Sequence, residues 1–336
     1  MNTESYLDSI RRGLRGAMES DERVYLIGED LLDPYGGAFK VSKGLSTEFP
    51  KRVLTTPISE SAITGLATGM AIRGLRPVVE IMFGDFLTLC TDQLVNSATK
   101  FPLMYRDKVR VPLVLRTPMG GGRGYGPTHS QSIEKMFLGV PGLTVVSPSL
   151  AHDPGTLLKR TILESERPVL WVEYKSLYPK QLLNGGDELR IWQVEGEDGY
   201  PLAVVENFSG SDPDVVVIAY GGASVPLFES MRRLIPEEIR VRGLLPSRLD
   251  TRTKTPWWFS EITGREPIIV AEHGTRGFTW GSEIAAELNL TFFGRLVAPV
   301  RRLADADNVV PAGRGLEREV LLNEEQLIKA IVESIT

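Results

Sequence analysis

Residues 52–81, RVLTTPISESAITGLATGMAIRGLRPVVEI, contain an apolar run, a helical repeat and a second apolar run. The two runs, 52–55 and 77–81, have the length and the β-branched content that are typical of buried strands. Between them, the apolar residues from 62 to 71 recur at three- and four-residue spacing, which predicts one buried helix face. A strand, a helix and a strand in this order predict two parallel strands that are joined by a crossover helix.

The same alternation extends in both directions from this unit. In the first half we predict helices at 5–19, 86–99 and 152–164, and further strands at 24–28, 111–115, 143–147 and 169–172. In the second half we predict strands at 215–219, 240–245 and 268–271, and helices at 225–234, 281–288 and 324–335. We therefore expect an α/β fold of two doubly wound domains, the first with a mainly parallel sheet.

Between the two halves the rhythm breaks, and turn-forming residues cluster at 184–187, 196–199 and 209–212. Clusters of Gly, Asn, Asp and Ser between periodic segments indicate loops. We predict an N-terminal domain at 1–180, a linker at 181–212 and a C-terminal domain at 213–336.

Composition excludes several classes of protein. The 336 residues carry a net charge of -5, and the basic residues are scattered, so we expect no nucleic-acid partner. No apolar run approaches the ~18 residues of a membrane span, and the N-terminus lacks a secretory core, so we expect a cytoplasmic protein without a membrane partner. The single cysteine, Cys90, excludes an intrachain disulfide and lies in an apolar stretch, where we interpret it as a buried packing residue.

Candidate site residues follow successive predicted strands. Glu29 follows the first strand, Glu60 the second and Phe86 the third, while a glycine-rich loop at 120–126 and then His129 follow the fourth. In doubly wound sheets, ligands bind beyond the carboxyl ends of the strands. Taken singly, each signal also fits a structural role: a first-turn glutamate stabilised by the helix dipole, core aromatics, or a surface loop with a solvated histidine. Their coincidence at one end of the sheet favours a site.

Familiar ligand motifs are missing from the sequence. It contains no Gly-x-x-x-x-Gly-Lys-Ser/Thr phosphate loop, no Gly-x-Gly-x-x-Gly and no Cys/His cluster with metal-binding spacing.

A series of short motifs instead runs through the first half in a fixed order. These are GED (28–30), YGGAFKV (35–41), TPISE (56–60), GLRPVVE (74–80), FGDF (83–86), DQLVNSA (92–98), RTP (116–118), HSQS (129–132) and PGLTVVSP (141–148). In order and spacing, residues 5–175 resemble the beta subunits of pyruvate and branched-chain 2-oxo acid dehydrogenases, in the transketolase-like, thiamine diphosphate-dependent group. The second half is similar more loosely, through AYG (219–221) and GFTWGSEI (277–284). The resemblance implies a pyrimidine-binding first domain and a transketolase-like second domain for dimerisation and docking.

The resemblance also assigns roles to residues. Glu60 matches the catalytic glutamate that hydrogen-bonds a ring nitrogen of the cofactor's aminopyrimidine, where a carboxyl removed from water can share a proton. Phe86 matches the aromatic residue that stacks on the pyrimidine, and Glu29 an acidic residue near Glu60. His129 matches the histidine that faces the reacting end of the cofactor and can stabilise charge or pass a proton.

Ions and partners are implied in the same way. The family holds a potassium ion near the end of the helix at 152–164, where the candidates are Thr161, Ile162 and Glu164. Its diphosphate and magnesium are bound by a Gly-Asp-Gly motif, which is absent here, since residues 196–199 are Gly-Glu-Asp-Gly. We therefore expect an alpha-type partner that holds the diphosphate and magnesium, in an alpha2beta2 heterotetramer with thiamine diphosphate at the interface. Docking to a lipoyl acyltransferase core is a further expectation.

The second half departs from the family pattern at 242–248 and at 272–274, which leaves the docking partner and the lipoyl acceptor open. Two alternatives to a dehydrogenase component therefore remain. One is a stand-alone two-component thiamine enzyme, a carboligase or transketolase-like enzyme such as specialised metabolism uses. The other is a non-catalytic scaffold of the same fold. The sequence does not identify the 2-oxo acid.

Overall fold

The computed structural model describes residues 4–183, 185–186, 188–196, 198–210, 212–250 and 255–336. Within these ranges the chain forms two six-stranded sheets. The α/β fold with two wound sheets that the sequence predicts is confirmed.

The first sheet is parallel throughout and has the order β2-β1-β3-β4-β6-β5. Its strands are β1 (Val24–Gly28), β2 (Val53–Thr55), β3 (Arg76–Glu80), β4 (Val114–Met119), β5 (Thr144–Val146) and β6 (Val169–Tyr174). The helices of this half are α1 (Tyr6–Ser20), α2 (Leu45–Glu48), α3 (Glu60–Ile72), α4 (Leu87–Thr91), α5 (Phe101–Met104) and α6 (Pro154–Glu164). The single helix predicted at 86–99 is instead a 3₁₀ turn at 84–86, then α4, then a π-helical segment at 92–98.

The centre of the first sheet holds a buried ionic cluster. Arg116 on β4 donates to Glu80 on β3 and, through Nε at 2.9 Å, to Glu173 on β6. Tyr178 adds a hydrogen bond of 2.6 Å to Glu173. Burial raises the pKa of Glu80, and the guanidinium of Arg116 opposes that rise. These bonds fix the three central strands side by side, so their carboxyl ends lie at one edge.

The second sheet is mixed and has the order β12-β11-β9-β10-β8-β7. Its strands are β7 (Arg190–Val194), β8 (Leu202–Glu206), β9 (Val215–Ala219), β10 (Val241–Pro246), β11 (Ile268–Thr275) and β12 (Arg301–Asp305). The helices are α7 (Ser224–Leu234), α8 (Trp280–Thr291), α9 (Arg314–Val320) and α10 (Glu324–Ile335). Strands β9 to β12 are parallel, whereas β8 runs antiparallel to β10 and to β7.

The segment predicted as a linker, 181–212, contains strands β7 and β8, which belong to the second sheet. The turn formers at 196 and 199 lie in the connection between these two strands, and this is why they resembled a linker. Of the predicted turn clusters, Asn184, Asp187, Glu197 and Ser211 lie outside the described residues. The division at residues 180 and 213 stays a prediction. Across the described part of the chain, none of the helices combines the length and the apolar character that crossing a bilayer requires.

Candidate functional site

The carboxyl ends of the strands of the first sheet carry five polar or glycine-rich segments. Glu29 follows β1, Glu60 begins α3 after β2, and residues 83–86 follow β3. The glycine-rich loop at 120–126 follows β4, and Lys175 follows β6. Because the strands are parallel, all five segments lie at the same edge of the sheet.

Glu60 lies buried at the first position of α3, and none of the side-chain hydrogen bonds among the described residues involves its carboxylate. Cys90 on α4 connects it to the next segment: its Sγ lies 3.7 Å from the carbonyl oxygen of Glu60 and 3.8 Å from that of Phe86. Cys90 is fully buried, and burial raises the pKa of its thiol to about 12. The cysteine is therefore an uncharged packing residue, as the sequence predicts, and it fixes Phe86 beside the start of α3.

Glu29 is the second buried carboxyl group of this edge. Its Oε1 is buried without a hydrogen-bond partner in the described part of the chain. Burial raises the pKa of Glu29, and the nearby charge of Glu60 raises it further. A buried carboxyl group with a raised pKa, such as that of Glu29, retains its proton more readily than an exposed one and can share it with a ligand.

Aromatic rings cluster in the segments that follow β3 and β4. The ring of His129 lies 4.6 Å from that of Phe83 and 5.4 Å from that of Phe86, both edge to face. The ring of Tyr125, in the glycine-rich loop, lies 5.8 Å from Phe83. The structure thus brings Phe86 and His129 into contact, and Cys90 connects Phe86 with Glu60. Flat aromatic rings in a region that also holds buried carboxyl groups suit a planar nitrogen heterocycle.

No site role was predicted for three residues of this region: Phe83 and Asp85, which lie in the FGDF motif, and Lys175. Asp85 is buried; its Oδ1 accepts a 2.8 Å hydrogen bond from Nε2 of Gln131, while its Oδ2 has no partner among the described residues. Lys175 is fully buried, and its Nζ likewise has no hydrogen-bond partner within the described ranges. The rule that ligands bind beyond strand ends could have identified Lys175, but the predicted strand ended at residue 172.

The glycine-rich loop is held from the second half of the chain. Glu317 on α9 accepts hydrogen bonds from the backbone N–H groups of Gly122 at 2.8 Å and Gly124 at 3.0 Å. Arg123 donates a 3.0 Å hydrogen bond to the carbonyl oxygen of Lys175. Gly122 and Gly124 both have positive φ, which explains why glycine is needed there. The loop is therefore anchored rather than free, and α9 was not predicted.

The three residues predicted to bind potassium lie together at the end of α6. Thr161 and Ile162 are buried, and Glu164 is exposed. The carbonyl oxygen of Ile162 accepts a 3.0 Å hydrogen bond from Arg76, so a cation already contacts this helix end. No group of three or more His, Cys, Asp or Glu side chains is placed to hold a metal in the ranges that the structure describes.

Comparisons with known proteins identify several similar sequences. Residues 4–181 match the family model described as "Transketolase, pyrimidine binding domain". Over 99% of both chains, the sequence is 32% identical to the 2-oxoisovalerate dehydrogenase subunit beta of Bacillus subtilis. It is also 32% identical to the Acetoin:2,6-dichlorophenolindophenol oxidoreductase subunit beta of that organism, over 98% of this chain and 96% of the relative. A third relative, the Pyruvate dehydrogenase E1 component subunit beta of Gracilaria tenuistipitata, is 32% identical over 96% of this chain and 97% of its own length.

Among solved structures, the fold is similar to that of a split gene transketolase described as an inactive beta4 tetramer. The TM-score is 0.71 with 18% identity, over 99% of each chain. At this identity the similarity concerns the fold alone.

Proposed function

The chain belongs to the family of beta subunits of thiamine diphosphate-dependent 2-oxo acid dehydrogenases, and from this premise we propose its activity and the residues that carry it. It is the beta component of a two-part enzyme that removes carbon dioxide from a 2-oxo acid and transfers the remaining acyl group. The observation that supports this best is the pair of buried, interacting carboxyl groups of Glu29 and Glu60 at the carboxyl ends of adjacent strands.

The residues at the sheet edge fit the aminopyrimidine half of the cofactor. The buried Oε1 of Glu29 lacks a partner, and the carboxylate of Glu60 makes no hydrogen bond to another described side chain, so both can accept one from a ligand. Phe86 offers a flat ring, and Cys90 contacts the backbone carbonyl oxygens of both Phe86 and Glu60. Bound thiamine diphosphate supplies the electron sink for the loss of carbon dioxide.

Each side chain then has a separate task. Glu60 would hold the hydrogen bond to a ring nitrogen of the pyrimidine, and Glu29, which is also buried at this edge, would keep water away from that contact. Phe86 and Phe83 exclude water from the ring. His129 is only half-buried and contacts Phe83, and we assign it the donation of a proton or a hydrogen bond during acyl transfer.

The diphosphate requires a second chain. No Gly-Asp-Gly motif occurs in the sequence, so we propose that an alpha-type subunit binds the diphosphate and its magnesium. The proposed assembly is an alpha2beta2 heterotetramer, with a lipoyl acyltransferase core as its docking partner. We also retain a potassium ion at Thr161, Ile162 and Glu164; replacing potassium by sodium should then lower the melting temperature of the assembly.

The experiment is co-expression of the chain with its alpha-type partner, followed by assay of carbon dioxide release from a panel of 2-oxo acids with an artificial electron acceptor. Glu60→Gln should lower the rate by about a hundredfold or more, the usual contribution of a positioned acid–base group. Assembly, measured by size-exclusion chromatography, should not change. Glu19→Gln, at an exposed glutamate of α1, is the matched control and should keep full activity.

Two results would contradict the proposal. Full activity of Glu60→Gln would remove the carboxyl group from the mechanism. No activity of the wild-type assembly with any 2-oxo acid would favour the non-catalytic scaffold. Activity without any lipoyl acyltransferase that binds the assembly would favour the stand-alone two-component enzyme.

A further inference from the structure

Lys175 is a buried cation that the proposed chemistry leaves unused. It follows the last residue of β6, is fully buried, and its Nζ has no hydrogen-bond partner among the described residues. Burying a charged group without a partner costs free energy. A buried, unpaired lysine is therefore typical of functional sites, where a ligand pairs with it or its charge takes part in binding.

The ammonium group lies against the wall of the candidate site. Its Nζ is 5.4 Å from the centre of the Phe83 ring, which is also the ring that contacts His129 at 4.6 Å. Lys175 and His129 are thus two basic side chains that share one aromatic neighbour. The segment of Lys175 also meets the glycine-rich loop, because Arg123 binds its carbonyl oxygen.

The charges around Lys175 are balanced only when it is protonated. Two carboxylates, Asp85 and Glu317, attract its proton, and Arg123 repels it. With Lys175 charged, this group has two cations and two anions. When Lys175 loses its proton, the group carries one net negative charge in a poorly hydrated place. Burial is the main effect on the pKa of Lys175 and lowers it to about 7, so this change falls within the physiological range.

Asp85 connects this charge balance to the site. Its Oδ2 is buried without a partner in the described part of the chain, and its Oδ1 is bound by Gln131, two residues after His129. An unneutralised carboxylate at this position would repel an anion that approaches His129. A 2-oxo acid is such an anion before it loses carbon dioxide.

We propose that Lys175 is a specificity-determining residue whose positive charge admits the negatively charged 2-oxo acid to the space beside Phe83 and His129. This inference rests on the proposed function, because only that function brings a 2-oxo acid to the site. The effect is on binding of the anion: protonated Lys175 lowers KM, and KM rises as pH passes the pKa of the lysine.

The test uses the assembled alpha/beta protein, loaded with thiamine diphosphate and magnesium, with the best substrate from the panel of 2-oxo acids and 2,6-dichlorophenolindophenol as the acceptor. KM and kcat are measured from pH 6 to pH 8.5 for the wild type, Lys175→Arg and Lys175→Met. Arginine is charged over this whole range, and methionine is never charged. Adding or removing a unit charge about 10 Å from the substrate carboxylate, in a medium of effective dielectric about 20, should change KM by about tenfold.

The three proteins should give three different profiles. The wild-type KM should rise by about tenfold between pH 6 and pH 8.5. The KM of Lys175→Arg should stay low at every pH, and the KM of Lys175→Met should stay high. Because all three retain His129, a pH dependence that they share belongs to other groups. Changes in kcat should be smaller than those in KM.

The same KM in the wild type and Lys175→Met at pH 6, or the same rise with pH in all three proteins, would overturn the inference. If Lys175→Met does not assemble, the KM values of the wild type and Lys175→Arg at pH 8.5 are sufficient to test the inference. At that pH only the lysine has lost its charge. Absence of turnover in the wild-type assembly with every 2-oxo acid of the panel would overturn the proposed function together with this inference. Turnover with the same KM in the wild type and in both variants at residue 175 would overturn the role of the lysine alone.

Discussion

The carboxyl group of Glu29 lies within the electrostatic reach of Glu60, and the charge of Glu60 adds to burial in raising the pKa of Glu29. The two residues follow β1 and β2, which are adjacent parallel strands with Gly28 paired to Thr55. A topology of parallel strands thus converts two separate sequence signals into one pair of interacting acids.

The raised pKa of Glu29 makes stability depend on pH. Below the pKa of glutamate in the unfolded chain, Glu29 is protonated in both states and contributes fully to stability. As pH rises through the higher pKa of the folded state, that contribution is lost, because the folded protein must accept a buried charge. In Glu29→Gln this position carries no charge at any pH. The melting temperature of the variant minus that of the wild type should therefore be larger at pH 7.5 than at pH 4.

Melting curves followed by circular dichroism at several pH values measure this difference. Glu19→Gln changes an exposed glutamate of α1 and should give the same melting temperature as the wild type at each pH. A difference between Glu29→Gln and the wild type that does not change with pH would contradict the raised pKa.

The strands that the sequence predicts best are those with continuous apolar runs. The bounds of β1 and β9 agree with the predicted 24–28 and 215–219. Strands that are buried on both faces form continuous apolar runs, whose ends are easy to recognise in the sequence. Strand β12 was not predicted. It is a half-buried strand at the edge of the second sheet, and its Arg301 and Arg302 interrupt any apolar run. Helix α9 was also missed, since its only buried residues are Glu317 and Val320 and it lacks an apolar stripe.

The candidate site shows the same limit. Glu60, Phe86 and His129 carry local motifs, so the sequence could propose them. The contacts of Lys175 with Phe83 and of Glu317 with the glycine-rich loop join segments far apart in the chain, and no local pattern encodes them.

Close packing between α1 and α6 predicts opposite effects for two glycines of one helix. A Cβ atom at Gly13 would lie 2.3 Å from the backbone oxygen of Gly155, whereas at Gly16 it would lie 3.3 Å from the flexible side chain of Lys159. Gly13→Ala should therefore destabilise the protein by about 1–3 kcal/mol, as overpacking does. Gly16→Ala should leave it unchanged or stabilise it by up to about 1 kcal/mol, because alanine favours helices.

Urea denaturation of the two alanine variants gives both free energies of unfolding. Equal effects at the two positions would mean that the helices separate without cost, which would contradict the close backbone approach.

The buried cluster around Arg116 predicts a large loss of stability when its cation is removed. Arg116→Met leaves the buried carboxylates of Glu80 and Glu173 without their guanidinium, which should cost about 3–5 kcal/mol in the free energy of unfolding. Arg110→Met breaks an exposed pair with Glu166 and should cost less than about 1 kcal/mol. The measurement is again urea denaturation, and a loss below about 1 kcal/mol for Arg116→Met would refute the role of the cluster.

Anchoring of the glycine-rich loop by Glu317 predicts a local effect at a distant site. Glu317→Ala removes the acceptor for the N–H groups of Gly122 and Gly124, which should then exchange hydrogen faster. Because the loop carries Tyr125 against Phe83, the activity of the assembled enzyme should fall as well. Hydrogen–deuterium exchange followed by mass spectrometry resolves the peptide that covers residues 120–126.

The matched control for this change is Glu319→Ala, at an exposed position of the same helix α9. Both variants replace a glutamate of the same helix by alanine, which is a good helix former. Faster exchange at 120–126 in Glu317→Ala alone would therefore report the two lost hydrogen bonds. Equal exchange in both variants, with unchanged activity, would show that the loop holds its conformation without help from the second half of the chain.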